Sequence, residues 1–557
     1  MTAIPSPNAS EWLQNLETAP DRMTGLRAAY GTNPDLVRER ACLLAGVVRR
    51  FMDAFGDRPV RLFRSPGRLN LRGMHVDTHG GYLNLMTHHR ETVVAACASG
   101  STECRFVNLE SVYNGAVFNL AEERLGAAGE PWDRFIARDE VRARVAARRE
   151  TPGRDWENYL AGACLRAVSG AGEAPMGGLL AAVGSDLPRG AALSSSAALC
   201  VSVLLAMRGV NGVDSPPEEL IRAEQDAEWY AGARVGMSDQ GAMILGRAGH
   251  VLNVALFAED FSLDGARWLP WPEDWDVLVV NSHTRRSLSG AQLVDYTRNR
   301  FAYSMAMHVL RRELRGLGMA EDVVRGMDRL SRITPDRLGG LDALYALLRG
   351  MPESLTLDEL RSRYAPPDLD EAYLRYFGGV DPALRPDTIR LRGPLAFGVA
   401  ESERARVFAG AVAARDAETV GRLMSLGHDG DRVRSCGAEF RPDLDDGALD
   451  RMAAARLPIE YCPGAYGASS PVLDFLVDGA LEAGALGACL TGAGIAGAVL
   501  ALCRNADTAR VARRMRECLA SSAYRDCGGR REPLTDAELD TAVVVNRGTA
   551  GAGEILP

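Results

Sequence analysis

The stretch GGLLAAVGSDLPRGAALSSSAALCVSVLLAM, residues 177–207, constrains the fold more than any other in the chain. Its first part, Gly178–Val183, is an apolar run of strand length that enters a loop of small residues, GSDLPRGAA. Its last part, Ser194–Met207, carries apolar residues on every face of a helix, so other elements must enclose that helix. A buried strand feeding a buried helix needs covering layers on both sides. With 557 residues the chain exceeds one ordinary core, and two or three structural units are expected.

Further strands are expected at Val60–Phe63, Thr92–Ala98, Val277–Val280, Ala488–Leu490 and Ala498–Cys503, the last two flanking the glycine loop TGAGIAG. Residues 1 to about 56 read as an amphipathic helical extension. The stretch 301–390 is mostly helical, Arg/Leu-rich and punctuated by proline, and part of it reads as an insertion. Strands and helices in mixed order imply α+β or α/β layers. There is no internal repeat.

Composition removes several function classes. A net charge of −9 argues against a dedicated nucleic-acid binder. The sequence has no lysine, so all 64 basic residues are arginine. That forbids a Schiff base and a G-x-x-x-x-G-K-[ST] phosphate loop. Phosphate chemistry here must rest on arginine, backbone N–H groups and metal. Eleven cysteines without a C-x-x-C pair suit neither a zinc knuckle nor a disulfide framework, and read as free thiols of a cytoplasmic protein. The N-terminus lacks the basic start and apolar run of a signal peptide. The longest near-apolar stretch, Ala197–Met207, is far short of the ~20 residues of a membrane span, so no membrane partner is expected.

The loop GSDLPRGAALSSS has a chemistry of its own. A small-residue loop opening a helix exposes unpaired N–H groups, and the helix dipole adds partial positive charge. Such a place binds anions, phosphate above all. Ser194, Ser195 and Ser196 add hydroxyls that could cap the helix or ligate Mg²⁺. A second polar constellation is GRLNLRGMHVDTHGG, Gly67–Gly81, in which apolar Met74 is set among His75, Asp77, Thr78 and His79. His75, His79, His88 and His89 lie close in sequence, but no H-E-x-x-H or comparable ligand spacing supports a metal site.

The loop resembles the P-x-G-x-G-L-S-S-S-A motif of the GHMP kinases, with Pro188, Gly190, Leu193, Ser194, Ser195, Ser196 and Ala197 in place. It departs at Ala192, where the family usually has glycine. If that position needs positive φ, alanine costs about 1 kcal/mol there. Three further matches narrow the resemblance to galactokinases. Pro66-Gly67-Arg68-Leu69-Asn70-Leu71 with Gly73, His75, Asp77 and Gly80-Gly81 is similar to P-G-R-x-N-L-I-G-E-H-x-D-Y-x-G-G. Gly236-Met237-Ser238-Asp239-Gln240 resembles G-I-M-D-Q, and Leu490–Gly497 resembles M-T-G-x-G-F-G-G. Weaker echoes are Trp156–Tyr159, Tyr296 with Arg300, and Tyr466–Asp474. All fall in the family's order, from about residue 57 to 505.

The resemblance implies an α+β fold of two domains, a ribosomal-protein-S5-like α/β domain at 57–300 and a ferredoxin-like α+β domain at 301–557 with an insertion at about 311–390. It implies an ATP- and Mg²⁺-dependent sugar kinase, monomeric or homodimeric, acting on a small sugar or cyclitol. Asp239 and Arg68 match the catalytic pair. His75, Asp77, Gly236 and Tyr296 match sugar contacts. Pro188, Gly190, Leu193 and Ser194–Ser196 match the nucleotide loop, with Trp156 and Tyr159 near the adenine. Ser196 and Glu228 match the metal ligands, with Glu224 and Asp226 as competitors. Met74 stands where galactokinases carry the acid that reads the C6 end of the sugar. A methionine facing the sugar would disfavour a buried hydroxyl there, which implies a pentose, a deoxy or modified hexose, or a cyclitol. Two alternatives remain open: a true galactokinase, which follows if Met74 turns away from the sugar, and a catalytically silent sugar sensor on the same scaffold. A homoserine or mevalonate kinase is disfavoured, because it would leave the pattern around His75 and Asp77 without purpose.

Overall fold

The computed structural model describes residues 6–126, 129–169, 176–284, 290–378, 380–435, 438–440, 442 and 444–557. Three helices open the chain: α1 (Ala9–Thr18), α2 (Thr24–Tyr30) and α3 (Pro34–Phe55). Asn33 caps α3 by accepting from the N–H groups of Asp35 and Leu36, and Pro34 takes the first position, where no N–H is needed.

The first sheet is built from β1 (Arg61–Arg72), β2 (Tyr82–Ala98), β3 (Glu103–Asn108), β4 (Ala116–Asn119), β5 (Leu179–Ser185), β6 (His250–Ala255) and β7 (Arg267–Pro270). The order is β1-β2-β5-β3-β4, with β6 on the other half of β2 and β7 beyond it. β3 and β5 run parallel and the other pairs are antiparallel. Alternation of side chains sends Leu62, Val93, Ala95 and Ala182 to the face covered by α1–α3. Their neighbours Phe63, Val94, Ala96 and Val183 face α4 (Glu157–Ser169), α5 (Ser195–Val210) and α6 (Pro217–Tyr230). Each larger side chain so enclosed is worth about 1.5–3 kcal/mol. The helix α5 is therefore buried for the reason its sequence requires.

The short helix α7 (Ser238–Leu245) follows α6. The second sheet comprises β8 (Trp275–Asn281), β9 (Gly487–Thr491), β10 (Ala498–Arg504) and β11 (Val543–Val545), in the antiparallel order β9-β10-β8-β11. Next in the chain come α8 (Gly290–Gly316) and α9 (Arg392–Ala413), which packs on β2 of the first sheet, whereas α10 (Ala417–Asp431), α11 (Pro471–Glu482) and α12 (Asn505–Ala520) pack on the second. No helix among the described residues is long and apolar enough to cross a membrane.

Two placements differ from the sequence reading. The expected boundary at 300 assigns Trp275–Asn281 to the first domain, yet β8 lies in the second sheet, between β10 and β11. The chain end returns the other way, as β12 (Gly553–Ile555) pairs with β1. Arg64, fully buried, fixes this return by donating to the carbonyls of Ala550 and Gly551, each at 2.9 Å. Strand pairing ignores sequence distance, so a linear boundary cannot describe it. In addition, Pro66–Leu71 lie within β1. Proline is tolerated there because the register shifts between Pro66 and Arg68, a bulge that relieves the ladder of its missing donor.

Candidate active site

The end of β1, the loop before α5 and the start of α7 meet around Asp239. Arg68 Nε donates to Asp239 Oδ1 at 2.7 Å, and a second guanidinium nitrogen of Arg68 donates to the Ala192 carbonyl. Ser194 donates its hydroxyl to Asp239 Oδ2. Ser238 Oγ lies 2.9 Å from Asp77 Oδ2 and 3.3 Å from Asp239 Oδ1, and its single proton can serve one of them at a time. Burial alone would raise the Asp239 carboxyl. The Arg68 charge and the bonds from Arg68, Ser194 and Ser238 outweigh it and hold Asp239 below its ordinary value. The result is an ionised carboxylate clamped in one orientation.

The loop before α5 keeps the shape a glycine would favour. Ala192 has φ +57°, so the strain of about 1 kcal/mol expected from the sequence is present. Its Cβ is received by two glycines of the 491–497 loop. A Cβ at Gly497 would come within 2.5 Å of it, and one at Gly492 within 3.0 Å. Gly190 takes φ +72° in the same loop, and the Pro188 carbonyl accepts from Ala191 N–H. Leu193 points into the core at 2 % exposure, so its contribution to the loop is anchorage. Ser194, the residue before α5, makes no side-chain cap because its hydroxyl is spent on Asp239. The first N–H groups of a sixteen-residue helix, flanked by Ser195 and Ser196, are thus without a side-chain cap, which suits phosphate.

Beneath Ser196 lie two buried acids on α6. Glu224 and Glu228 are 0 % and 1 % exposed. Both oxygens of Glu224 and Oε2 of Glu228 lack a hydrogen-bond donor. Burial, then the charge of Asp239, push Glu228 up to about 7, with a bond from Ser196 acting the other way. Glu224 is held well above its ordinary value by burial, then by the charge of Glu228. Two carboxylates this close and this dry hold a proton between them or take a cation. Their oxygens and the Ser196 hydroxyl are the hard donors Mg²⁺ prefers, so the residues fit that ion. Among the described residues no cluster of three His, Cys, Asp or Glu side chains could hold a metal alone, so phosphate oxygens and water would complete the shell. The competitor Asp226 is instead paired with Arg166 at 2.6 Å.

On the other side of Asp77 opens a cavity of about 1210 Å³, walled in part by Asp77, His79 and Gly236. Gly236 leaves the Asp77 carboxylate its room, since a Cβ there would lie 2.0 Å from Asp77 Oδ2. His75 has φ +62°, stacks on Tyr466 with centroids 4.5 Å apart, and places Nε2 3.4 Å from Asp431 Oδ1. Neither His75 nor Met74 belongs to the cavity wall. Tyr296 lies on α8, and its side chain falls outside the described residues.

Two expectations are corrected. Met74 does not face the cavity; it is 1 % exposed, within the apolar core of the C-terminal half. The backbone there is tied down, as Glu401 Oε1 accepts from the N–H groups of Gly73 and Met74 at 2.7 and 2.9 Å. An apolar side chain gains more by joining that core than by facing a polar ligand. Trp156 is likewise a core residue at 3 % exposure, its indole N–H donating to the Asn114 carbonyl at 3.1 Å. Tyr159 stands beside Glu228, whose charge, after burial, raises its hydroxyl. The remaining histidines form no metal cluster. His79 bonds Ser304, whereas His88 and His89 contact Asn546 and Arg547 in the returning C-terminal segment.

The sequence reading missed Ser238, Glu401 and Asp431. Ser238 was within a quoted motif, where its hydroxyl was the available signal. Glu401 and Asp431 had none, being ordinary acids on helices α9 and α10.

Comparison with known proteins agrees with this geometry. The galactokinase galactose-binding signature matches residues 49–98, the GHMP kinase N-terminal domain 158–247, and the GHMP kinase C-terminal domain 408–521. The chain belongs to the GHMP kinases. Within them it is galactokinase-like. A galactokinase of Roseiflexus sp. (strain RS-1) is 27% identical over 509 residues, spanning 91% of this chain and 96% of that protein. One from Chloroflexus aurantiacus is 30% identical over 281 residues, 50% and 63% of the two chains. The crystal structure of Lactococcus lactis galactokinase complexed with galactose superposes with a TM-score of 0.58 at 20% identity, over 92% of this chain and 100% of that one, and shows that this GHMP kinase has the same fold.

Proposed function

We propose that this galactokinase-like GHMP kinase transfers the γ-phosphoryl group of ATP to a hydroxyl, the anomeric one by family likeness, of a galactose-like sugar altered at its C6 end, a pentose or a cyclitol. The observation that carries the kinase reading is the Arg68–Asp239 pair at 2.7 Å, flanked by an uncapped helix start on one side and by Asp77 on the other. Asp239, held ionised, orients the acceptor hydroxyl by accepting its hydrogen bond, and is placed to take its proton as the oxygen attacks. Arg68 lies where charge grows on the transferring group. Asp77, fixed by Ser238 and by the close approach of Gly236, binds sugar hydroxyls. Ser196, Glu228 and Glu224 are the residues that would hold Mg²⁺, whose charge balances the phosphates when bound.

The finer substrate reading rests only on the lack of a carboxylate at position 74; because Met74 turns into the core, a true galactokinase is the second reading, and this placement favours it. In galactokinases an acid at that position reads the C6 hydroxyl, and here the side chain is methionine turned into the core. The test is an ATP-consumption screen over galactose, its C6-altered analogues, pentoses and cyclitols, with product identified by mass spectrometry. Asp239→Asn is the control and is expected to lower kcat at least 100-fold with the fold intact. Equal kcat/KM for galactose and its C6-altered analogues would refute the substrate reading. Absence of turnover with every sugar would refute the kinase reading and favour a sensor.

A further inference from the structure

The cavity beyond Asp77 and Gly236 is larger than one sugar ring needs. Its volume of about 1210 Å³ exceeds the ~300–1,000 Å³ of ordinary small-molecule sites. Its far wall comes from α8 and from the helix Leu369–Phe377, which contribute Ser304, Met307, Arg311, Leu374 and Arg375. The helical stretch expected as an insertion therefore lies against the substrate side of the site.

Six arginines and six carboxylates line this cavity, and among the described residues Asp133 and Glu259 make no ion pair. Asp260 and Asp328 are taken by Arg329, at 2.6 and 3.2 Å, and Glu371 by Arg375 at 2.9 Å. Among the described residues Arg142 and Arg311 make no ion pair or hydrogen bond through their guanidinium groups, and Arg234 only covers the face of Trp229 at 4.9 Å. Arg234 lies two residues before Gly236 in sequence, so its attachment is fixed next to the sugar contact. Partial burial depresses its guanidinium, Asp133 acts the other way, and the like charges of Arg375 and Arg142 add to the depression. Arginines crowded in this way are stabilised by an anion between them, and the planar guanidinium fork matches a carboxylate or a phosphate ester.

We infer that the acceptor sugar carries an anionic group, a carboxylate or a phosphate ester, held by Arg142 and Arg234 at the wall formed with the helical segment after residue 300, while Asp77 and Gly236 hold the ring. This rests on the sugar-kinase reading and narrows it: the acceptor carries a negative charge. It also gives the helical segment a task, closing the site around a substrate larger than a neutral monosaccharide.

The test measures binding and turnover separately. Isothermal titration of the full chain compares galactose, its C6 carboxylate (galacturonate) and galactose 6-phosphate, which also distinguishes the two anion sources. The same sugars are then assayed with ATP. At least one acidic sugar is expected to bind ten or more times tighter than galactose, with the preference shrinking as salt rises. Arg234→Gln and Arg142→Gln, both exposed side chains with no role in the core, are expected to reduce the acidic-to-neutral affinity ratio at least fivefold each. Equal or weaker binding of both acidic sugars, or a ratio unchanged in both variants, overturns the inference even if galactose is phosphorylated. Selective binding that depends on Arg142 and Arg234 upholds it even if no sugar is turned over, a result that would instead overturn the kinase reading.

Discussion

Gly236→Ala isolates the coupling between the start of α7 and the sugar site. The new Cβ would stand 2.0 Å from Asp77 Oδ2 and 2.7 Å from its Cγ, whereas real Cβ contacts essentially never fall below 3.0 Å. Gly236 is not among the residues with positive φ, so alanine fits the backbone itself. The Asp77 carboxylate must retreat by about 1 Å, which breaks its 2.9 Å bond with Ser238 and misplaces it for the substrate. A hydrogen bond to a charged group is worth about 1.5–3 kcal/mol. The expected loss in kcat/KM is therefore roughly 10- to 150-fold. The assay is steady-state kinetics with the best sugar of the screen, alongside a thermal melt to show the fold is kept. A double-mutant cycle completes the argument. If the alanine acts only through the carboxylate, Gly236→Ala costs nothing further in an Asp77→Ala background. An activity within twofold of the parent, or additive losses in the cycle, would refute this reasoning.

Three other outcomes are expected. Glu228 is raised from 4.5 to about 7 by burial, so the folded protein holds a proton that the unfolded chain has released between those values. Its contribution to stability is present below about pH 4.5 and is lost as pH rises through about 7. Glu228→Gln should raise the Tm more at pH 8 than at pH 5, and should remove the weakening of Mg²⁺ affinity on acidification; a Tm gain independent of pH would count against it. Trp156→Phe should lower the Tm while leaving the KM for ATP within twofold, because the indole serves the core and the Asn114 carbonyl; a tenfold rise in KM at unchanged Tm would restore a nucleotide role. Ala192→Gly should relieve about 1 kcal/mol of left-handed strain and raise the unfolding midpoint in denaturant; a lower midpoint would show that the methyl is worth more in contacts than it costs in backbone.

The site was legible in the sequence where its chemistry is local. The loop PRGAALSSSA has its residues within one strand–loop–helix passage, so spacing alone places the small residues, the serines and the helix start together. The positive φ of residue 192 followed from its place in that passage. Arg68, Asp77 and Asp239 were found through motifs, each short enough to survive as a pattern. Direction was not legible. Met74 and Trp156 sit in correctly located segments, but a residue's facing depends on what covers it, and the covering residues come from elsewhere in the chain.

What the sequence by itself determined is a layered α+β architecture and an arginine-only chemistry, for these rest on periodicity and composition, while the kinase fold and the candidate phosphate loop came from resemblance to family motifs. Tertiary structure alone decided that Glu401, 327 residues beyond Met74, ties down the backbone of Gly73 and Met74. It decided that Asp431 faces His75, that β8 belongs to the second sheet and the last strand to the first, and that the helices after residue 300 wall the cavity. The physical reason is common to all four. A hydrogen bond or a cavity wall depends on distance in space, and folding sets that distance through packing free energy that no local pattern encodes.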